Sequence, residues 1–514
     1  MSTAAQGQRA PLHAGALALF TIAVSLATFM EVLDTSIANV AIPTIAGNLA
    51  VSANQGTWVI SSYGLAAAIV VPLTGWIAKR FGEVRVFCTS VVLFTIASAL
   101  CGMATSLPML VACRFLQGLV SGPMVPLSQA LLLANFPPQK RGMAMAIWAM
   151  TVVVAPICGP LLGGYITDNM SWPWIFYINA PVGLLSGFIT WTLLRDRETA
   201  TEKKPIDAIG LGLLVIGVGA LQLMLDNGND LDWFNSRVIV TLLCTSIVAL
   251  TFLVAWELTD EHPIVDLTLF VKPNFRFGVI AMAVGYMSFF AMTVLFPLWL
   301  QTVMGYTATW AGVATSPVGL FALILSPIIG RNINRIDLRI LASIAYVVFA
   351  ITAFWFSTFN LDTSLSEVYL PRLVQGIAVA CFFVPINQII MSGIQPQRLA
   401  AASGLSNFFR TISGSLGTAI VVTMWDRRTQ AHEVRLAESF TSNGSGTLDY
   451  LNQLGKLGVT GDRGYGYVQN QIHAQGAMMA TSDVFWGISI LFLLLIGFIW
   501  LTRPPFGSAA PAGH

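Results

Sequence analysis

The chain has 514 residues, of which 55% are hydrophobic and only 10% charged, with a net charge of +2 and a mean hydropathy of +0.74. A soluble protein carries roughly 25% charged residues, so this chain cannot cover a water-facing surface, and lipid must be the solvent for most of it. The small net charge leaves no footprint for nucleic acid, and the composition excludes a disordered, coiled-coil or disulfide-scaffold protein.

A helix that crosses a bilayer needs about 20 mostly apolar residues. Such runs predict helices near 16–38, 56–78, 86–105, 108–133, 142–166 and 174–194, then 207–226 and 237–257, then 277–300, 310–330, 338–358, 367–393, 402–424 and 484–502. The expected fold is an all-α integral membrane protein with 14 transmembrane helices. No small-residue cleavage site follows the first run, so it reads as a retained helix and not a signal peptide. An even number of spans puts both termini on one side. Arg9, Lys79, Arg80, Arg85, Lys140, Arg141, Arg195, Lys203, Lys204, Lys272, Arg331, Arg335, Arg398 and Arg503 then fall on that side, which the positive-inside rule makes the cytoplasm. Between the eighth and ninth helices, Pro263 to Phe270 is short and amphipathic, and is expected along the cytoplasmic surface. The last outer connection, about 425–483, reads as a long polar segment rich in Gly, Ser and Asn. The six cysteines sit in apolar runs without a CxxC and are expected to be packing residues, not metal ligands or disulfides.

The chain repeats itself weakly. Arg114-x-x-Gln117-Gly118, with Pro126 and Gln129 downstream, is matched by Arg372-x-x-Gln375-Gly376, with Pro385 and Gln388 downstream. Trp58, Pro72-x-x-Gly75 and Arg80 are matched by Trp310, Pro327-x-x-Gly330 and Arg335, and Pro138-Gln139-Lys140-Arg141 by Pro396-Gln397-Arg398. Residues 1–200 therefore form a six-helix half, 201–260 an inserted helix pair, and 261–514 a second six-helix half that includes the long outer connection. Two such halves describe a secondary transporter with a central path. There is no glycine loop for a nucleotide, so an ion gradient is the expected energy source and no cofactor is implied. No nucleophile–base or metal-ligand set points to an enzyme.

Charges inside a span cost at least about 2.5–3.5 kcal/mol each, so each needs a reason. The first helix holds Glu31 and Asp34, three residues apart and on one helix face. A carboxyl poised between burial and a nearby arginine can switch its charge with conformation, as a proton carrier must. Arg114, with Gln117 one turn away, is the expected relay partner of Asp34. Phe115, Gln117, Gln129, Gln375, Asn387, Asn407 and Arg410 are expected near a substrate path. Pro156, Gly159, Pro160, Gly163 and Gly164 crowd the fifth helix with breakers, which favours a hinge or a close-contact seam. The loop after the second helix carries Gly75, Lys79, Arg80, Gly82 and Glu83, whose glycines allow a tight turn and whose charges can pair with facing helix ends.

These residues resemble the major facilitator superfamily, and within it the fourteen-helix drug:proton antiporters. Leu33-Asp34-Thr35-Ser36-Ile37-Ala38-Asn39-Val40-Ala41-Ile42-Pro43 is similar to that subfamily's first-helix motif. The resemblance implies a proton-coupling role for Asp34 and a proton-transfer role for Arg114, and makes Gly159-Pro160 with Gly163-Gly164 similar to the antiporter motif. One position departs: the loop after the second helix has Lys79 where the family usually has an acid, and Glu83 is the expected substitute. Ser25-Leu-Ala-Thr-Phe-Met30, Gly56-Thr-Trp-Val-Ile60, Trp148 through Gly164 and Pro504-Pro-Phe-Gly507 narrow the resemblance to a Gram-negative inner-membrane branch. That branch implies an EmrA-type periplasmic adaptor, a TolC-type outer-membrane channel, hydrophobic or amphiphilic toxic cargo, and cytoplasmic termini. The connection 425–483 is then a candidate adaptor contact.

Overall fold

The computed structural model describes residues 13–506 apart from 52, 138–139, 203–204, 206, 261–262, 334, 440–452, 454 and 457–461. Arg9, Pro138, Gln139, Lys203, Lys204, Gly507 and the middle of the long connection thus lie outside the described residues. Among the described residues the chain forms fourteen long helices: α1 (Ala14–Asn48), α2 (Trp58–Phe81), α3 (Glu83–Gly102), α4 (Leu107–Asn135), α5 (Arg141–Asn169), α6 (Asn179–Leu194), α7 (Ala208–Asn227), α8 (Arg237–Thr259), α9 (Pro273–Thr302), α10 (Pro317–Asn332), α11 (Leu338–Ser357), α12 (Leu365–Met391), α13 (Leu399–Ser439) and α14 (Asp462–Ile499). Helix α4 breaks between Ser121 and Met124, where Pro123 has no N–H to continue the ladder.

Thirteen of these helices are long and apolar enough to cross a bilayer. The fourteenth, α13, falls short because its buried face is polar: Ser403, Ser406, Asn407, Arg410 and Ser413 are all buried. The connection 425–483 is also not the loop that its composition suggests. Helix α13 continues to Ser439 and α14 begins at Asp462. Their extensions pack together, with Trp425 Nε1 donating to Thr481 Oγ1 at 2.9 Å, His432 Nε2 2.9 Å from Asp483 Oδ2, and Glu433 paired with His473. A hydropathy scan stops where the apolar residues stop; these helices go on because each supplies the other with polar partners.

Helices α1 to α6 pack among themselves, with α1 on α5 and α6 and α2 on α4, while α9 to α14 form a second group in which α10 and α11 pack on α12, and α11 and α13 pack on α14. The two groups meet along α5–α10, α4–α13 and the end of α2 against α13. That meeting is tightest at the end of the bundle bearing Arg80, Arg141, Arg331 and Arg398, called here the basic end. A Cβ on Gly75 would stand 2.6 Å from Ala401 Cα, and one on Gly330 would stand 2.6 Å from both the Gly142 carbonyl and Ala146 Cβ. Between helices in lipid, such backbone approach replaces the hydrophobic effect as the source of contact energy.

The segment after α8 lies at the basic end and is amphipathic, with Thr268 exposed. Ile264, Val265 and Leu269 are buried, and Asp266 Oδ2 takes Arg398 Nη2 at 2.6 Å. The apolar residues Ile264, Val265 and Leu269 thus pack on the protein, while Val271 is exposed. All six cysteines are free.

Candidate functional site

Asp34 is held in the middle of the first helix group, 2% exposed. Arg114 Nη1 stands 2.5 Å from Asp34 Oδ2. Asn179 Nδ2 on α6 donates to Asp34 Oδ1 at 2.6 Å, and Gln117 Nε2 on α4 donates to the same oxygen at 3.3 Å. The guanidinium is fixed in turn: Nε donates to the Val59 carbonyl at 3.1 Å and Nη1 to Gln117 Oε1 at 2.8 Å. Its carbon lies 4.5 Å from the centre of the Tyr63 ring and 5.5 Å from that of Phe176. Ser98 completes the shell, accepting from Asn179 at 2.9 Å and donating to the Phe176 carbonyl at 2.9 Å. Arg114, Gln117, Asn179 and Ser98 are all essentially without solvent exposure.

The spacing within α4 makes this possible. Arg114 and Gln117 are one turn apart, so both face α1 and α2. Gly118 sits in the same stripe, and a Cβ there would clash with the Tyr63 carbonyl of α2. The glycine lets α4 come close enough for Arg114 to reach the α2 backbone. Sequence alone does not single out Ser98 and Tyr63; for Asn179 the signal is a single asparagine in the apolar start of α6, since a buried amide needs a partner.

Glu31, one turn before Asp34, is 9% exposed and lies outside this cluster, with Oε2 unpartnered. The charges it senses are those of Arg410 and Asp34. Arg410 on α13 stacks at 5.7 Å on both Trp148 of α5 and Tyr286 of α9, and its Nη1 has no hydrogen bond.

A second polar cluster joins the two helix groups. Gln129 Nε2 on α4 donates to Asn387 Oδ1 on α12 at 2.9 Å, while Gln129 Oε1 accepts from Ser403 Oγ at 3.1 Å and Asn407 Nδ2 at 3.2 Å, both on α13. Every member is buried. The remaining expected path residues stand elsewhere. Gln375 accepts from Arg372 Nη1 at 2.7 Å inside the second group. Phe115 is turned away from the Arg114 cluster and is exposed, because the residue next to Arg114 points about 100° round the helix.

On α5, Gly159 and Gly163 face α1: a Cβ on Gly159 would clash with Ser36, and one on Gly163 would lie 3.3 Å from Ile37. Ser36 Oγ donates to the Pro156 carbonyl at 3.1 Å. Gly164 has open space beside it, and the side chain of Pro160 lies outside those described. In the loop after α2, Gly82 has φ +94°, a conformation that favours glycine. The acid at the start of α3 comes from beyond α6: Glu198 accepts from the N–H groups of Val84 at 3.0 Å and Arg85 at 2.9 Å. Glu83, the expected substitute acid, is buried and forms no ion pair among the described residues. A carboxylate on a helix N-terminus meets free N–H groups and the positive dipole end, and Glu198 holds that place here. Lys79 contributes its carbonyl, which accepts from Glu202 N at 2.8 Å, and Arg80 stacks over Trp76 at 5.7 Å.

Thirteen helices long and apolar enough to cross a bilayer, with a carboxylate–guanidinium pair buried inside one half of the bundle, make this a multi-pass membrane protein. Residues 24–418 match the Major Facilitator Superfamily, and the chain belongs to that family. It is 51% identical over 507 residues to the multidrug export protein EmrB of Escherichia coli K12, covering 98% of this chain and 99% of that one. It is 47% identical over 504 residues to the fatty acid resistance protein FarB of Neisseria gonorrhoeae, covering 98% and 99%. The human organic anion transporter MFSD10 shares the fold with a TM-score of 0.58 at 13% identity, covering 94% of this chain and 99% of that one. The proton:xylose symporter XylE does so with a TM-score of 0.58 at 16% identity, covering 95% and 96%. Within the family the chain is of the EmrB type: a multi-pass membrane transporter, not an enzyme.

Proposed function

We propose that this chain is a proton-driven antiporter that exports hydrophobic or amphiphilic toxic compounds, antibiotics among them, across the bacterial inner membrane. The observation that carries this reading is Asp34, buried and held by Arg114, Gln117 and Asn179. Protonation of Asp34 discharges the pair and leaves Arg114 a buried cation without its counter-charge. Removing one partner of a buried pair costs about 3–5 kcal/mol, enough to shift a two-state equilibrium by more than a hundredfold. Proton binding thereby drives the bundle toward the state in which Arg114 finds another partner or solvent. By linkage, cargo that favours the unprotonated state must in turn weaken the proton.

The basic end is the cytoplasmic one in this proposal, with both termini there. Its close contacts and the Gln129 clasp then make this an inward-closed state. The identity to EmrB supports an EmrA-type adaptor and a TolC-type channel as partners in a tripartite pump, with the α13–α14 extensions as the candidate adaptor contact. The likeness to FarB favours a second reading of the cargo, a native amphiphile such as a fatty acid or siderophore-like metabolite, handled by the same cycle. The test is proton movement in everted vesicles on adding a hydrophobic dye that is not itself a protonophore. Dye-dependent proton release that vanishes in Asp34→Asn is the expected result; dye transport without proton movement in the wild type would overturn the coupling.

A further inference from the structure

The inserted pair, α7 and α8, takes no part in the cycle just described, yet α7 lies against both helix groups. It packs on α2 from the first and on α13 from the second. Its bonds to the two are unequal. Toward α13, Gln222 Nε2 donates to Ser415 Oγ at 3.2 Å, Asn229 Nδ2 in the α7–α8 turn donates to Asp426 Oδ2 at 3.0 Å, and Trp233 Nε1 donates to Thr423 Oγ1 at 2.7 Å. Toward α2 the contact is smooth. A Cβ on Gly219 would lie 3.8 Å from Leu65, and the polar tie across the seam is the Ser61 hydroxyl, a hydrogen-bond partner of the Asp226 carboxyl. Asp226 Oδ1 accepts from Gln222 Nε2 at 2.9 Å, while Oδ2 has no hydrogen bond although it is buried.

From this asymmetry we propose that the inserted pair is a strap that moves with α13, and that Asp226 is the positioning residue at which it grips and releases Ser61 of α2. Three polar bonds hold one side through a rearrangement, whereas a glycine facing a leucine can slide. A lone hydroxyl bond to a carboxylate whose other oxygen is unfilled is more easily broken than the three bonds on the α13 side. The strap fills the seam between α2 and α13 at the end opposite the basic end, where those two helices otherwise separate.

This inference rests on the alternating-access reading, and its test separates the two. Cysteine pairs are placed in a Cys244→Ser background, Cys244 being the exposed native thiol, and joined by a short bis-thiosulfonate. Leu65→Cys with Gly219→Cys ties the strap to α2. Gln222→Cys with Ser415→Cys, and Asn229→Cys with Asp426→Cys, tie it to α13. Cross-linking to α2 is expected to lower dye transport at least about tenfold, restored by reductant, while cross-linking to α13 changes it by less than about twofold. Recovery of transport on reduction shows that each variant has folded. Tolerance of both ties, blockage by both, or blockage only by the α13 tie would overturn the strap. Reduced protein that carries dye without moving protons speaks against proton coupling and leaves the cross-link comparison standing.

Discussion

Arg114 and Arg372 hold matched places in the sequence repeat and are answered by different chemistry. Arg114 has the Asp34 carboxylate at 2.5 Å, whereas Arg372 has the face of Phe296 at 3.5 Å from its guanidinium carbon, with Phe356 at 5.1 Å. Both keep the glutamine one turn on as a hydrogen-bond partner. The bundle thus preserves a guanidinium–glutamine unit in each helix group, but gives only the first of them a group that can take a proton.

The Asp34–Arg114 pair behaves as one unit in stability. Asp34→Asn leaves a buried, uncompensated guanidinium and should destabilise the protein by about 3–5 kcal/mol. Adding Arg114→Gln removes the orphan charge and should return most of that loss without restoring transport. Thermal unfolding of the purified single and double variants checks this; a double variant no more stable than Asp34→Asn would sink the idea.

Arg372 carries no proton traffic in this scheme, so its loss should be mild. Arg372→Met keeps much of the volume, removes a buried charge with two unpartnered nitrogens, and leaves the aromatic faces covered. Dye-driven proton movement should stay within about threefold of wild type, whereas Arg114→Met should abolish it. Equal losses at the two positions would show that the cation itself, and not its acid, is what matters.

The spans were legible because lipid imposes one rule on all of them, an apolar run of sufficient length. That rule fails where helices leave lipid or face each other. Helix α13 is polar because Ser403, Asn407 and Arg410 meet the first helix group, and α14 begins 22 residues before the apolar run that announced it, which started at 484. At the site, Asp34, Arg114 and Gln117 were readable as charges and amides that a span cannot hold idle. The partition of the remaining polar residues was not, since Gln129 and Gln375 look alike in sequence and only tertiary contact sends one to Asn387 and the other to Arg372. Glu198 was hidden for the same reason: a mixed-charge connection gives no sign that one of its acids caps a distant helix.

Gln129 is the hub of the clasp between the two groups, with bonds to Asn387, Ser403 and Asn407. Gln129→Leu strands those partners at about 1–3 kcal/mol for each group left unsatisfied. The cost falls on the state in which the clasp is closed, so the population should move toward opening at the basic end. An introduced cysteine at Ala400, buried at 3% exposure in this state, should label with a water-soluble maleimide at least about fivefold faster in Gln129→Leu than in its parent. Unchanged labelling would mean that the clasp does not report on opening.

Gly142 and Gly330 test the same closure by sterics. A Cβ on Gly330 would lie 2.6 Å from Ala146 Cβ and from the Gly142 carbonyl, and neither atom can swing aside, since one belongs to the backbone and the other is fixed to it. Gly330→Val therefore forbids the α5–α10 approach found here while leaving each helix group's internal packing alone. The variant should fold and bind cargo yet fail to transport, because the closed state lies at least about 3 kcal/mol higher. The cysteine at 400 should then label fast irrespective of cargo. Gly142→Val attacks the other face of the same contact, where a Cβ meets the Gly330 carbonyl at 2.7 Å, and should give the same pattern. Normal transport by either valine variant would show that the cycle does not pass through this contact.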